Sequence, residues 1–143
     1  MPRFVDLVVL SGPETGMRYT VETGTYRVIG RAGDDHESTL QLSRAGDRLL
    51  DAEQQAVVES VLNSRADRGV RTRIKRRGPD ILLGDGSVSR THALVFVDES
   101  GTSVADLMST NGTKVNGTLV TDIDVEPGDV LQVGQSRLRV DDD

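Results

Sequence analysis

The sequence predicts an all-β sandwich carrying one helical insertion, and three observations point there. Short apolar runs of strand length recur along the chain, each closed by Gly, Ser, Asp or Asn. Asn-Gly at 111–112 and 116–117 and Pro-Gly at 127–128 mark tight reversals, where a positive φ is needed. Within residues 33–79 that rhythm breaks, and apolar residues there recur at helical spacing instead.

Taken in order, residues 4–10 form a Val-rich run closed by Ser11-Gly12-Pro13. Met17, Tyr19 and Val21 then alternate with Arg18, Thr20 and Glu22. Thr23-Gly24 is a turn, and Tyr26, Val28 and Ile29 carry a third strand to Gly30-Arg31, so the chain is expected to open with antiparallel strands. The break from Ala32 to Pro79 is far longer than an ordinary strand connection, so the stretch needs structure of its own. Asp51 followed by Gln54 fits a capping box, and Leu50, Val57, Val58, Val61 and Leu62 lie at helical spacing; a helix is expected over about 47–66, with Gly69 past its end. On its flanks Leu40 and Leu42, and then Val70, Thr72 and Ile74, alternate with polar residues, as a two-stranded arm would. Strand character returns at 81–83, 93–97 and 102–107. Lys114-Val115 and 118–120 flank Asn116-Gly117, the pair best suited to a two-residue type I′ hairpin. Glu126-Pro127-Gly128-Asp129 reads as a type II turn leading into strands at 130–133 and 138–140, and Asp141 to Asp143 read as a solvated acidic end.

At 143 residues the chain is expected to be a single domain, 1–143, with the insertion inside it. It has no cysteine, which excludes disulfides and thiolate metal sites, and its two histidines leave little for a zinc centre. Neither a metal nor a cofactor is expected. No apolar run would span a bilayer, and the first residues lack a signal-peptide cleavage region, so a soluble, unsecreted, cytoplasmic protein without membrane contact is expected. Asn111-Gly112-Thr113 and Asn116-Gly117-Thr118 fit the glycosylation pattern, but without secretion they are read as turns. A formal charge of −6 argues against a generic nucleic-acid binder.

The chemistry sits in two loops. The first, residues 84–92, is rich in Gly and Ser and ends Ser89-Arg90-Thr91-His92; the second, 109–117, holds Ser-Thr-Asn-Gly-Thr and the second Asn-Gly. Singly each feature is bland: an Arg after a strand is usually a surface cation, and a loop Ser an ordinary hydroxyl. Specificity comes from their order. Gly30-Arg31 ends one strand, Ser-x-x-His opens another, and Asp106-Leu107, Ser-Thr-Asn-Gly-Thr, Asn-Gly and Pro-Gly-Asp come after. This series resembles the forkhead-associated (FHA) domain, over about residues 4–140 apart from the insertion, which departs from the family pattern.

The resemblance implies a β-sandwich of two mainly antiparallel sheets whose end loops bind phosphothreonine peptides. By the family's pattern Arg31 and Ser89 would hold the phosphate with Arg90 as a second cation, while Thr110 and Asn111 would contact the peptide, Asn111 through its amide against the peptide backbone. His92 would hold the loops in shape, and Gly30, Gly112, Asn116 and Gly117 would supply backbone geometry. Those residue types suit such a ligand. A phosphothreonine brings about two negative charges and three strong acceptors, a guanidinium offers a planar fork of donors, and a carboxamide both donates and accepts. The expected function is a signalling adaptor that recognises phosphothreonine in a protein partner, either a Ser/Thr kinase or its substrate. The alternative is a phosphate-independent interaction scaffold acting through the insertion.

Catalysis is not expected. Ser89 precedes His92 by only three residues with no third orienting group in view, Gly84-Asp85-Gly86 lacks the rest of a phosphate-loop motif, and Asp122, Asp124 and Glu126 do not complete a calcium loop. Arg65, Arg68, Arg71, Arg73, Lys75, Arg76 and Arg77 form a basic run among the chain's 17 cations. It reads either as a solvated face balancing an acidic domain or as a positive surface extending the phosphate site toward an acidic partner.

Overall fold

The computed structural model describes residues 4–32, 49–69, 74–77 and 79–142. Its strands are β1 (Phe4–Ser11), β2 (Arg18–Glu22), β3 (Thr25–Arg31), β4 (Lys75–Arg76), β5 (Ile81–Leu83), β6 (Ala93–Asp98), β7 (Gly101–Asp106), β8 (Thr113–Val115), β9 (Thr118–Val120), β10 (Asp122–Val125), β11 (Val130–Val133) and β12 (Ser136–Asp142), with one helix among the described residues, α1 (Ala52–Asp67). One sheet runs β2-β1-β12-β11-β8-β9, and the other β10-β7-β6-β3-β4 with β5 also on β3. Pairing is antiparallel except where β4 and β5 meet β3 in parallel. The fold is the expected β-sandwich of two mainly antiparallel sheets.

Alternation along each strand sends one set of side chains between the sheets. Val5, Leu7, Val9, Leu131, Val133, Leu138 and Val140 from the first sheet meet Ile29, Val95, Val97 and Val104 from the second. The other face of the second sheet is covered too. Val28, Leu94, Phe96, Ala105 and Leu107 pack under Val58 and Val61 of α1 and under Ile74. Every residue of β6 is therefore buried, as its unbroken run Ala-Leu-Val-Phe-Val requires of a strand covered on both sides.

The helix begins at Ala52 rather than near 47, because Asp51 is its N-cap. The Asp51 carboxylate accepts the Gln54 N–H at 2.8 Å, and Gln54 Oε1 accepts the Asp51 N–H at 3.1 Å. The opening is antiparallel only through β1 and β2; β3 crosses to the other sheet, where β6 is its antiparallel neighbour. Leu40, Leu42, Val70 and Thr72 of the expected arm lie outside the described residues. Just past Ile74, Lys75–Arg76 adds to the second sheet beside Thr25 and Tyr26. Asn116 and Gly117 both have positive φ, 50° and 86°, as a type I′ hairpin between β8 and β9 demands. The acidic end is not loose up to Asp142: β12 pairs with β1 from Arg137 to Asp142, Asp141 lying opposite Asp6, and Arg139 and Arg18 neutralise the two carboxylates.

Candidate functional site

Three loops meet at one rim of the sandwich, and hydrogen bonds show how closely. Arg31, exposed at the end of β3, donates its backbone N–H to Ser89 O at 3.0 Å. The Ser89 hydroxyl accepts the Thr110 N–H at 2.9 Å, and Asn111 Nδ2 donates to Ser87 O at 2.8 Å. Arg31, Ser89, Thr110 and Asn111 thus share one surface, with part-buried Arg90 next to Ser89 in the chain. Thr110 and Asn111 are exposed.

His92 fixes this arrangement from below. It is fully buried. Its Nδ1 accepts the Ser89 N–H at 2.8 Å and its Nε2 lies 2.8 Å from Gly112 O. An accepting Nδ1 puts the hydrogen on Nε2, which donates to Gly112, so one neutral ring ties the two loops together. Burial pushes His92 below its ordinary value and outweighs the opposing pull of the Gly112 carbonyl and of Asp106 and Asp85. His92 is not poised as a base for Ser89, since Nδ1 receives the serine's backbone N–H and not its hydroxyl.

Gly112 has φ 80°, and a Cβ there would fall 2.5 Å from Leu119 Cδ1, so the residue supplies backbone geometry. It does not turn a hairpin, because β7 and β8, on either side of it, lie in different sheets. Gly30 is not a positive-φ residue; it sits inside β3 opposite Leu82. Asn116 acts away from this rim, its amide reaching Asp129 and the Val130 N–H.

The hydrogen-bonding roles of two carboxylates that build the loops escaped sequence reasoning. Asp85, buried, accepts the Ser87 N–H and hydroxyl at 2.9 and 2.5 Å, and the Gln135 N–H and Ser136 hydroxyl at 3.0 and 2.8 Å. Burial pushes its carboxyl up, but these bonds outweigh that and hold it below the usual carboxylate value. Asp106 accepts the Ser109 N–H at 3.2 Å and the hydroxyls of Ser109 and Thr113 at 2.5 and 2.7 Å, shaping the loop that carries Thr110 and Asn111. An Asp two residues before a Ser is a legible Asx-turn signal; the partners of Asp85 fifty positions on are not.

The basic run is not one surface. Arg65 is buried against Asp98, Ser103 and Gly101 O, while Arg68 meets Asp124 and Arg76 meets Asp80. Lys75 and Arg77 are exposed, and Arg71 and Arg73 lie outside the described residues. The insertion nevertheless reaches the rim at its other end. Gln54 Nε2 donates to Thr91 Oγ1 at 2.7 Å and lies 3.2 Å from Leu107 O, between the loop that ends at His92 and the one that follows Leu107.

Comparison with known proteins agrees with this architecture. Residues 71–134 match the family model described as FHA domain. Over that stretch the chain is similar to FHA domains. The matched stretch holds Ser89, His92 and Asn111, and the helical insertion separates it from Gly30-Arg31. A solved structure from a study of phosphothreonine-dependent FHA domain interactions is 25% identical, with a TM-score of 0.59 over 96% of this chain and 95% of that one. The FHA domain of the CT664 protein from Chlamydia trachomatis superposes with a TM-score of 0.61 at 19% identity, over 99% of this chain and 98% of the other. An oxoglutarate dehydrogenase inhibitor of Corynebacterium efficiens is 41% identical over 59 residues, which is 41% of this chain and 42% of that relative's length. FHA domains are binding modules, and none of these matches is to a catalytic family. Among the described residues no helix is long and apolar enough to cross a membrane.

Proposed function

We propose that this chain binds a phosphothreonine-bearing segment of a partner protein, a Ser/Thr kinase or its substrate, and that it makes and breaks no covalent bond. The observation that carries the reading is the convergence of Arg31, Ser89 and Asn111 on one rim through the bonds Arg31 N–H to Ser89 O, Thr110 N–H to Ser89 Oγ and Asn111 Nδ2 to Ser87 O.

Ser89 and Asn111 keep chemistry for a ligand. The Ser89 oxygen is already an acceptor, so its own hydrogen is left to donate to a phosphate oxygen. Asn111 uses one amide hydrogen on Ser87, leaving the second hydrogen and Oδ1 for the backbone of an extended peptide. Arg31 and Arg90 supply the charge, a guanidinium fork matching two phosphate oxygens. The phosphothreonine-dependent interactions studied for the FHA domain at 25% identity support the same ligand class here.

Titration with phosphothreonine peptides and their unphosphorylated counterparts tests this directly. Charge-assisted hydrogen bonds contribute roughly 1.5–3 kcal/mol each, so Arg31→Ala should lower affinity at least tenfold and remove most of the phosphate dependence. Ser89→Ala and Asn111→Ala should each weaken binding less, and phosphoserine should bind below phosphothreonine. Equal binding of phosphorylated and unphosphorylated peptides would favour a phosphate-independent scaffold instead.

A further inference from the structure

Between α1 and the edge strand β10 runs an open groove of about 490 Å³. Ala56, Val57 and Val61 of the helix and Met108 form its apolar lining, and Glu53 and Asp122 stand among its acidic groups. We infer that this groove takes a lysine- or arginine-bearing segment of the same partner that places phosphothreonine on the neighbouring rim. The inference rests on the phosphothreonine reading and adds to it a second, oppositely charged subsite built by the insertion.

Three observations choose that occupant. The first is continuity: Met108 lies two residues before Thr110, at most about 7 Å of chain, so a ligand touching Thr110 and Asn111 need cross only that segment to enter. The second is charge. Glu53 and Asp122 are exposed and make no ion pair among the described residues, whereas Asp106 at the same groove is spent on Ser109 and Thr113. Two carboxylates over an apolar floor suit a side chain whose methylene stem lies on the floor while its cationic head reaches the rim. The third is Met108 itself. It is 59% exposed with φ 57°, an uncommon setting for a long side chain. The loop thereby leaves a flexible thioether on the surface, where it can adapt to a ligand.

The full chain can be titrated with two degenerate phosphothreonine libraries, five residues on each side, identical except that one carries lysine and the other glutamate at half of the flanking positions. The wild type should favour the lysine library by at least tenfold at low salt. Glu53→Gln and Asp122→Asn should each cut that preference about threefold or more, while Glu126→Gln, at the far end of β10, should leave it unchanged. Ala56→Trp, at an exposed helix position, should fill the groove and lower affinity for the lysine library with little effect on the other. A preference that Glu126→Gln reduces equally would be net charge alone and would overturn the groove, as would a plugged groove that binds as before. Self-association abolished by Ala56→Trp would make the occupant a second copy, and would also overturn it. If neither library outbinds its unphosphorylated form, the phosphothreonine reading falls and this inference with it; phosphate dependence without lysine preference removes the groove alone.

Discussion

At the scale of residues, the rim is held by groups that are not expected to touch the ligand. Asp85 joins the loop of Ser87 and Ser89 to the turn between β11 and β12 through four accepted hydrogen bonds. Removing the carboxylate leaves the Ser136 hydroxyl, itself buried, without that acceptor, and an unsatisfied buried polar group costs about 1–3 kcal/mol. Asp85→Ala should therefore lower the unfolding free energy by about that amount in a urea titration, and should weaken phosphopeptide binding through Ser87 and Ser89 without removing any ligand contact. Full stability in this variant would mean that the turn and the loop hold each other without it. The roles at this scale were unevenly legible. The order of Arg31, Ser89, His92 and Asn111 along the chain is distinctive, and the fold brings them to one rim. The roles of Asp85 and Gln54 could not be read, because their partners lie far off in sequence and only folding brings them close.

At the scale of elements, α1 is part of the sandwich rather than an appendage. β6 lacks alternation, so its outward Leu94 and Phe96 need cover, and Val58 and Val61 supply it. The capping box at Asp51 and the helical spacing of the valines were readable, but which sheet face the helix would cover was not, because its contact also depends on a charge. Arg65 is 2% exposed and pairs with fully buried Asp98. Burial pushes Asp98 up, but hydrogen bonds from Arg65 and Ser100 hold its carboxyl below the ordinary value. Pattern reading takes an Arg in a basic run for a solvated cation, and only the docked helix reveals it as a buried anchor. Cutting one partner from a buried pair leaves an uncompensated charge and costs about 3–5 kcal/mol. Arg65→Ala should lower stability by that amount in chemical denaturation, whereas Arg68→Ala, whose pair with Asp124 is exposed, should cost less than about 1 kcal/mol. Comparable losses in the two variants would refute the anchor.

At the scale of the whole molecule, the rim exists only while loops far apart in sequence stay joined, and the joint through His92 requires a neutral ring. In the folded chain His92 titrates below 6.5, and in the unfolded chain near 6.5. Between those values the unfolded state binds more protons, so stability rises with pH there. The contribution is complete above about pH 6.5 and is lost as pH falls through the folded value. Protonation would also put a hydrogen on Nδ1, which then could no longer accept the Ser89 N–H, so the recognition loop and the fold should weaken together. Asp85, Asp98 and Asp124 are depressed from 3.8, and by the same reasoning their contribution persists above that value and goes only in stronger acid. Denaturation midpoints from about pH 7.5 to 4.5 should therefore fall gradually, in a range where these carboxylates are still ionised. His92→Asn, whose amide oxygen can replace the accepting Nδ1 without titrating, should flatten that fall while keeping some phosphopeptide affinity. The chain's other histidine, His36, lies outside the described residues, and a fall that persists unchanged in the His92 variant would assign the effect elsewhere.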